Sequence, residues 1–152
     1  MKGKLAVLGI AAVAYFYAGG QHAVTPASGP ASAAIAYAQA QIGKPYQWGA
    51  TGPDSYDCSG LVMEAYASAG VSIARTSQAQ WATEPHVSTP QRGDLVFFAG
   101  SDGTMTSPGH VGIVIGHGDM IEAYGAGYPI RVASYDRQDL AGFTDPSASA
   151  AT

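Results

Sequence analysis

One stretch constrains this chain more than any other: Tyr56-Asp57-Cys58-Ser59-Gly60, followed directly by Leu61-Val62-Met63-Glu64-Ala65-Tyr66-Ala67. The second part is rich in strong helix formers and sets apolar residues at 61, 62, 65 and 66, one side of a helix. Cys58, the only cysteine, therefore stands at or just before a helix N-terminus. Unpaired backbone N–H groups and the positive end of the helix dipole stabilise negative charge there, which suits a nucleophilic thiol. Such a thiol still needs a base.

The 152 residues suffice for one domain with a proper core. Ala31 to Ile42 reads as a helix, with Ile35, Ala38, Gln39 and Ile42 at helical spacing and Gly43 as its stop. A turn-rich stretch, Gly52-Pro53-Asp54-Ser55, leads into the cysteine, and Gly70 ends the cysteine helix. Thr76 or Ser77 can cap a further short helix through Trp81. Beyond it the pattern changes to short apolar runs at 95–98, 110–115, 120–124 and 130–134, which read as strands. The expected class is α+β, helices first and then an antiparallel meander. The expected division is 1–30 as leader or anchor plus linker, 31–143 as the folded domain, and 144–152 as a disordered Ser/Ala/Thr-rich tail.

The N-terminus carries Met1-Lys2-Gly3-Lys4 and then an unbroken apolar run from Leu5 to Ala18. That length fits the apolar core of a secretory signal and falls short of the roughly 20 residues that span a bilayer. The competing reading is an uncleaved membrane tether through residues 5–20. On either reading the rest of the chain is expected outside the cytoplasm, secreted or held in the cell envelope. Seven basic against eleven acidic residues, a net charge of −4, argue against nucleic-acid or anionic-membrane binding. A single cysteine can form no internal disulfide and no Cys-rich zinc site. No metal and no cofactor are expected, and a monomer is.

Four histidines compete for the role of base. His22 falls in the linker, His86 in a Pro-flanked loop and His117 at a hairpin tip. His110 opens a strand after Pro108-Gly109 and can be held rigidly at a sheet end, although a solvated strand-end residue would look the same. The hairpin register then nominates an orienting group. If Ile113 pairs with Ile121 and Val111 with Ala123, a continuous apolar face results, and Glu122 falls diagonal to His110 on the other face. That register needs a three-residue or bulged turn; a tight two-residue turn would separate the two side chains. The alternative is that Glu122 faces water.

Five blocks now stand in order. They are Pro45-Tyr46-x-Trp48-Gly49, Tyr56-Asp57-Cys58-Ser59-Gly60-Leu61-Val62, Arg75-Thr76-Ser77-x-x-Gln80, Gly93-Asp94-Leu95-Val96-Phe97-Phe98 and His110-Val111-Gly112-Ile113. Together they resemble the NlpC family of bacterial cell-wall cysteine peptidases over roughly residues 31 to 140. The resemblance implies a papain-like α+β fold with the cysteine helix packed on an antiparallel sheet. It implies hydrolysis of an amide bond in peptidoglycan stem peptides, most often that between D-γ-glutamate and a diamino acid. By position it makes Cys58 the nucleophile, His110 the base, Glu122 the third polar residue and Tyr46 an oxyanion-hole donor. The substrate candidates are Asp57, Ser59, Arg75 and Trp48. Asp57 is either the holder of a substrate amine or a helix N-cap, and Arg75 either pairs a substrate carboxylate or closes a structural ion pair. Trp48 and Trp81 line the cleft or belong to the core. Ala74 and Arg92 stand where the family commonly has proline.

Other readings remain open at this level. A related Cys–His amidase would cut the glycan–peptide bond instead. A non-catalytic wall-binding module would not need the Cys–His pair, and a redox thiol protein would want a resolving cysteine.

Overall fold

The computed structural model describes residues 29–151, so all but the last two residues of the leader or tether plus linker expected at 1–30, His22 included, lie outside the described residues. Three helices come first: α1 (Pro30–Ala40), α2 (Cys58–Ser68) and α3 (Ser77–Thr83). Six strands follow: β1 (His86–Val87), β2 (Leu95–Phe98), β3 (His110–Gly116), β4 (Asp119–Glu122), β5 (Arg131–Ser134) and β6 (Leu140–Thr144). They form one antiparallel sheet in the order β1-β6-β2-β3-β4-β5. This is the expected α+β class, and the four expected strands form the expected meander from β2 to β5.

Helix α2 has eleven residues, too few to be stable in water from propensity alone. Tertiary burial holds it. Leu61, Val62, Ala65 and Tyr66 are fully enclosed, and each large apolar side chain so buried contributes about 1.5–3 kcal/mol. They pack with Ala34, Ile35 and Ala38 of α1 onto Leu95, Phe97, Val111, Ile113 and Ile121 of the sheet. The other sheet face carries a smaller cluster of Val96, Phe98, Val114 and Met120, covered by Tyr135, Leu140 and Phe143.

The β3–β4 register is the one the apolar pattern demanded. Ile113 lies opposite Ile121 and Val114 opposite Met120, and an irregularity near the turn shifts the pairing to Gly116 opposite Asp119. The bulged turn therefore replaces a tight one, and alternate residues keep their faces.

The C-terminal segment departs from expectation. Sequence alone ended the domain at 143 and expected disorder beyond, but β6 runs through Thr144, which is fully buried, and pairs with both β1 and β2. Pro146–Ala151 then forms a 3₁₀-helix, with the Asp145 carboxylate accepting from the Ser147 N–H at 2.9 Å. Gly142 interrupts the apolar pattern of β6, which hid the strand. A β-carbon on residue 142 would sit 3.0 Å from the Trp81 ring. His86 also moves from an expected loop into β1, its ring 4.0 Å from that of Trp81.

Candidate active site

The Asp57-Cys58-Ser59-Gly60 turn is built by its own side chains. Asp57 adopts an extended backbone and caps α2, accepting from the Gly60 N–H at 2.7 Å. Its second oxygen accepts from the Gly49 N–H at 3.0 Å, which brings the Tyr46–Gly49 loop against the helix start. Arg75 grips the same carboxylate with both ends of its fork, at 3.0 and 2.7 Å. Ser59 adds a longer contact of 3.4 Å. Five donors on one carboxylate spend its roughly four lone-pair directions. Asp57 thus caps α2, and Arg75 closes an ion pair with it. Gly60 is required by close approach, since a β-carbon there would meet the Ala50 carbonyl oxygen at 2.4 Å. Cys58, partly exposed, is the first residue of the helix.

His110 is the first residue of β3 and so stands at the end of the sheet. The chain just before it is fixed from two sides. Gly109 N–H donates to the Ala99 carbonyl at 2.9 Å, and the Ser77 hydroxyl donates to the Pro108 carbonyl at 2.9 Å. The Arg75-Thr76-Ser77-x-x-Gln80 block is therefore a brace. Arg75 holds Asp57, Thr76 caps α3 on Ala79 N–H at 3.2 Å, Ser77 holds Pro108, and Gln80 donates to the Ser59 carbonyl at 3.2 Å. One short segment thus ties the cysteine turn to the approach of the histidine strand.

The His110 ring shares a 2.7 Å hydrogen bond between Nε2 and Glu122 Oε2. Glu122 does not face water, as one sequence reading allowed; it is fully buried. Its other oxygen accepts from Arg131 Nε at 3.2 Å, from a second Arg131 nitrogen at 3.1 Å and from Arg137 at 2.7 Å. Burial raises the carboxyl pKa, but the bonds and charges of His110 and Arg137 outweigh it and pull the group down to about 2. Burial likewise lowers the imidazole pKa, and the interactions with Cys58 and Glu122 outweigh it, pushing it up to about 9. With Nε2 committed to Glu122, Nδ1 is the nitrogen left for the thiol.

Cys58 and His110 line a single open groove of about 660 Å³ together with Tyr46, Trp48, Tyr124, Tyr128, Arg131 and Arg137. Tyr46 is half-buried, and its hydroxyl pKa is raised by burial and by the neighbouring Cys58 and Asp57. Trp48 is 78% exposed and forms groove wall, whereas Trp81 packs against Phe97 and His86. His117 lies on the exposed β3–β4 turn, away from these groups. Of the residues singled out from the sequence, Cys58, His110, Tyr46 and Trp48 line this groove, and Glu122 is bonded to His110. The sequence reading missed Arg131 and Arg137. The first had a signal, because Arg131 lies directly opposite Glu122 across the β4–β5 ladder. The second, reached through the turn after β5, had none.

A thiol at a helix start, facing an imidazole that a buried carboxylate holds by its far nitrogen, is the arrangement of a papain-like cysteine hydrolase. The model of the NlpC/P60 family matches residues 43–143, and the chain belongs to that family, whose members are cysteine peptidases. The chain is 45% identical over 114 residues to a protein of Corynebacterium glutamicum named "Probable endopeptidase", covering 73% of this chain and 51% of that one. It is 47% identical over 91 residues to "Probable endopeptidase p60" of Listeria monocytogenes, covering 59% of this chain and 18% of that one. It thus spans about half of the first relative and a smaller share of the second. Among solved structures, the peptidoglycan hydrolase RipB of Mycobacterium tuberculosis superposes with a TM-score of 0.66 at 32% identity, covering 76% of this chain and 63% of that one.

Proposed function

We propose that this chain is a peptidoglycan endopeptidase that hydrolyses an amide bond of the stem peptide, that between D-γ-glutamate and a diamino acid. His110 Nδ1 takes the Cys58 proton, and the thiolate attacks the carbonyl carbon. The oxyanion is met by the Cys58 backbone N–H at the helix start and by the Tyr46 hydroxyl. The imidazolium gives its proton to the leaving amine, a thioester remains on Cys58, and a water deprotonated by His110 hydrolyses it. Glu122 orients the ring and stabilises its charged form throughout. The observation that carries this reading is the 2.7 Å His110–Glu122 bond beside Cys58 in an open groove.

Residues 1–30 are assigned to export or tethering, which puts a monomeric domain outside the cytoplasm, where its substrate is; the basic start and apolar run support this. The test is digestion of defined muropeptides with mass analysis of the products. Cleavage between glutamate and the diamino acid, abolished in a folded Cys58→Ala variant, is expected. Release of intact peptide from the glycan would instead make the chain an amidase.

A further inference from the structure

Arg131 and Arg137 do more in this structure than neutralise Glu122. Each guanidinium turns one edge to that carboxylate and keeps side-chain surface in the groove, 36% exposed for Arg131 and 23% for Arg137. Both are clamped by aromatic faces. Arg131 lies 4.9 Å from the Tyr124 ring centroid and 5.0 Å from that of Tyr128, and Arg137 lies 5.0 Å from Phe98 and 5.4 Å from Tyr124. Glu122 takes only part of their N–H groups: two from Arg131 and one from Arg137. The outward edges therefore turn further N–H donors to whatever occupies the groove.

Their position sets which part of a substrate they meet. The leaving amine must lie at His110, because His110 delivers its proton. Tyr124 packs on the His110 ring at 5.8 Å between centroids, and both arginines lie against Tyr124. Tyr46 and Trp48 lie on the loop that Asp57 holds, and Pro45 beside Tyr46 bridges Pro129, between Tyr128 and Arg131. Asp102 and Asp139 also line the groove, and Asp139 accepts from the Gly100 N–H at 3.2 Å. Arg131 and Arg137 are the only guanidinium groups that line the groove, and Asp139 follows two residues after Arg137.

The geometry points to Arg131 and Arg137 as a carboxylate subsite on the leaving-group side of the groove. The ligand is a carboxylate carried by the diamino acid released on cleavage, either on its side chain or at the end of the peptide. This deepens the endopeptidase reading and rests on it. A charge-assisted fork of this kind, partly open to solvent, is worth about tenfold to a hundredfold in kcat/KM.

The experiment compares three glutamyl–diaminopimelate peptides: one with both carboxylates free, one amidated on the side chain and one amidated at the C-terminus. The full chain is expected to prefer the free form by that factor over one of the amidated two, and which one identifies the source. Arg131→Gln should cut this preference to within about threefold, while also lowering turnover on every peptide through its bond to Glu122. Arg131→Lys should recover part of the preference and serves if the glutamine variant does not fold. Equal cleavage of all three peptides by the unaltered chain, or a preference undiminished in the variants, would overturn the subsite and leave the peptidase reading standing. No cleavage of any peptide would overturn both.

Discussion

Glu122→Gln is the most informative single change, because the buried carboxylate accepts four N–H groups and an amide cannot. Two guanidiniums, permanently protonated, approach one oxygen, and the imidazole approaches the other. The glutamine oxygen must turn to the arginines, so its NH2 faces His110 Nε2. That nitrogen then has to accept, and the ring proton moves to Nδ1, the side facing Cys58. A base whose lone pair points away from its nucleophile is the wrong tautomer. In chymotrypsin-like serine proteases the equivalent Asp→Asn change in the triad costs about 10⁴ in kcat. A drop of about three to four orders of magnitude in muropeptide hydrolysis is expected here. Stability should fall as well. Glu122 is held at about 2 against an ordinary 4.5 despite burial, because His110 and Arg137 favour its charge. At about 1.4 kcal/mol per pKa unit this is roughly 3 kcal/mol, or about 10 °C in Tm for a domain of this size. A depressed carboxyl pKa contributes stability above pH 4.5 that is lost as pH falls through 2. The raised pKa of His110 contributes stability below pH 6.5 that is lost as pH rises through about 9. The difference between parent and variant in urea melts should therefore be greatest between those bounds, vanish towards pH 2 and shrink in part towards pH 9, where the arginines stay charged. A glutamine variant that keeps more than a tenth of the parent rate would refute the orienting role of Glu122.

Tyr46→Phe removes one oxyanion donor and should slow turnover about a hundredfold with little change in KM; unchanged kcat in steady-state assays would remove Tyr46 from the mechanism. Asp57→Ala loses the α2 cap, worth about 1 kcal/mol, and strands Arg75, so a fall of about 2 kcal/mol in unfolding free energy is expected along with slower alkylation of Cys58. A variant as stable as the parent would show that Arg75 and Gly49 find other partners at no cost. Asp94 is buried beside Gln91, and burial raises its pKa to about 6 against the pull of the Gln91 N–H, with Asp145 adding to the rise. A raised carboxyl pKa means the folded state holds the proton more tightly, so stability is lost as pH rises from about 4 to about 6. Asp94→Asn, which can still accept from Gln91, should flatten that loss and raise Tm at pH 7; a lower Tm there would contradict it.

The fold was legible where neighbouring residues carry the information. The cysteine helix follows from eleven consecutive residues and one capping aspartate. The β3–β4 register follows from matching Ile113 to Ile121, since any slip by one residue turns the apolar face to water. That register placed Glu122 beside His110 before any distance was known. Strand β6 was not legible, because Gly142 breaks its pattern and its stability comes from lying between β1 and β2, far earlier in the chain. The brace from Arg75 to Gln80 was visible as a motif but not as a set of contacts.

The amino-acid order by itself determined the helix start at Cys58, the side of the strand on which the carboxylate falls and the α+β class, because these depend on periodicity and capping within a few residues. Only the tertiary structure decided that Gly49 and Arg75 converge on Asp57, and that two arginines converge on Glu122. Those outcomes depend on which donors arrive from distant segments. A carboxylate shows nothing in the sequence of how many partners will reach it once the chain has closed.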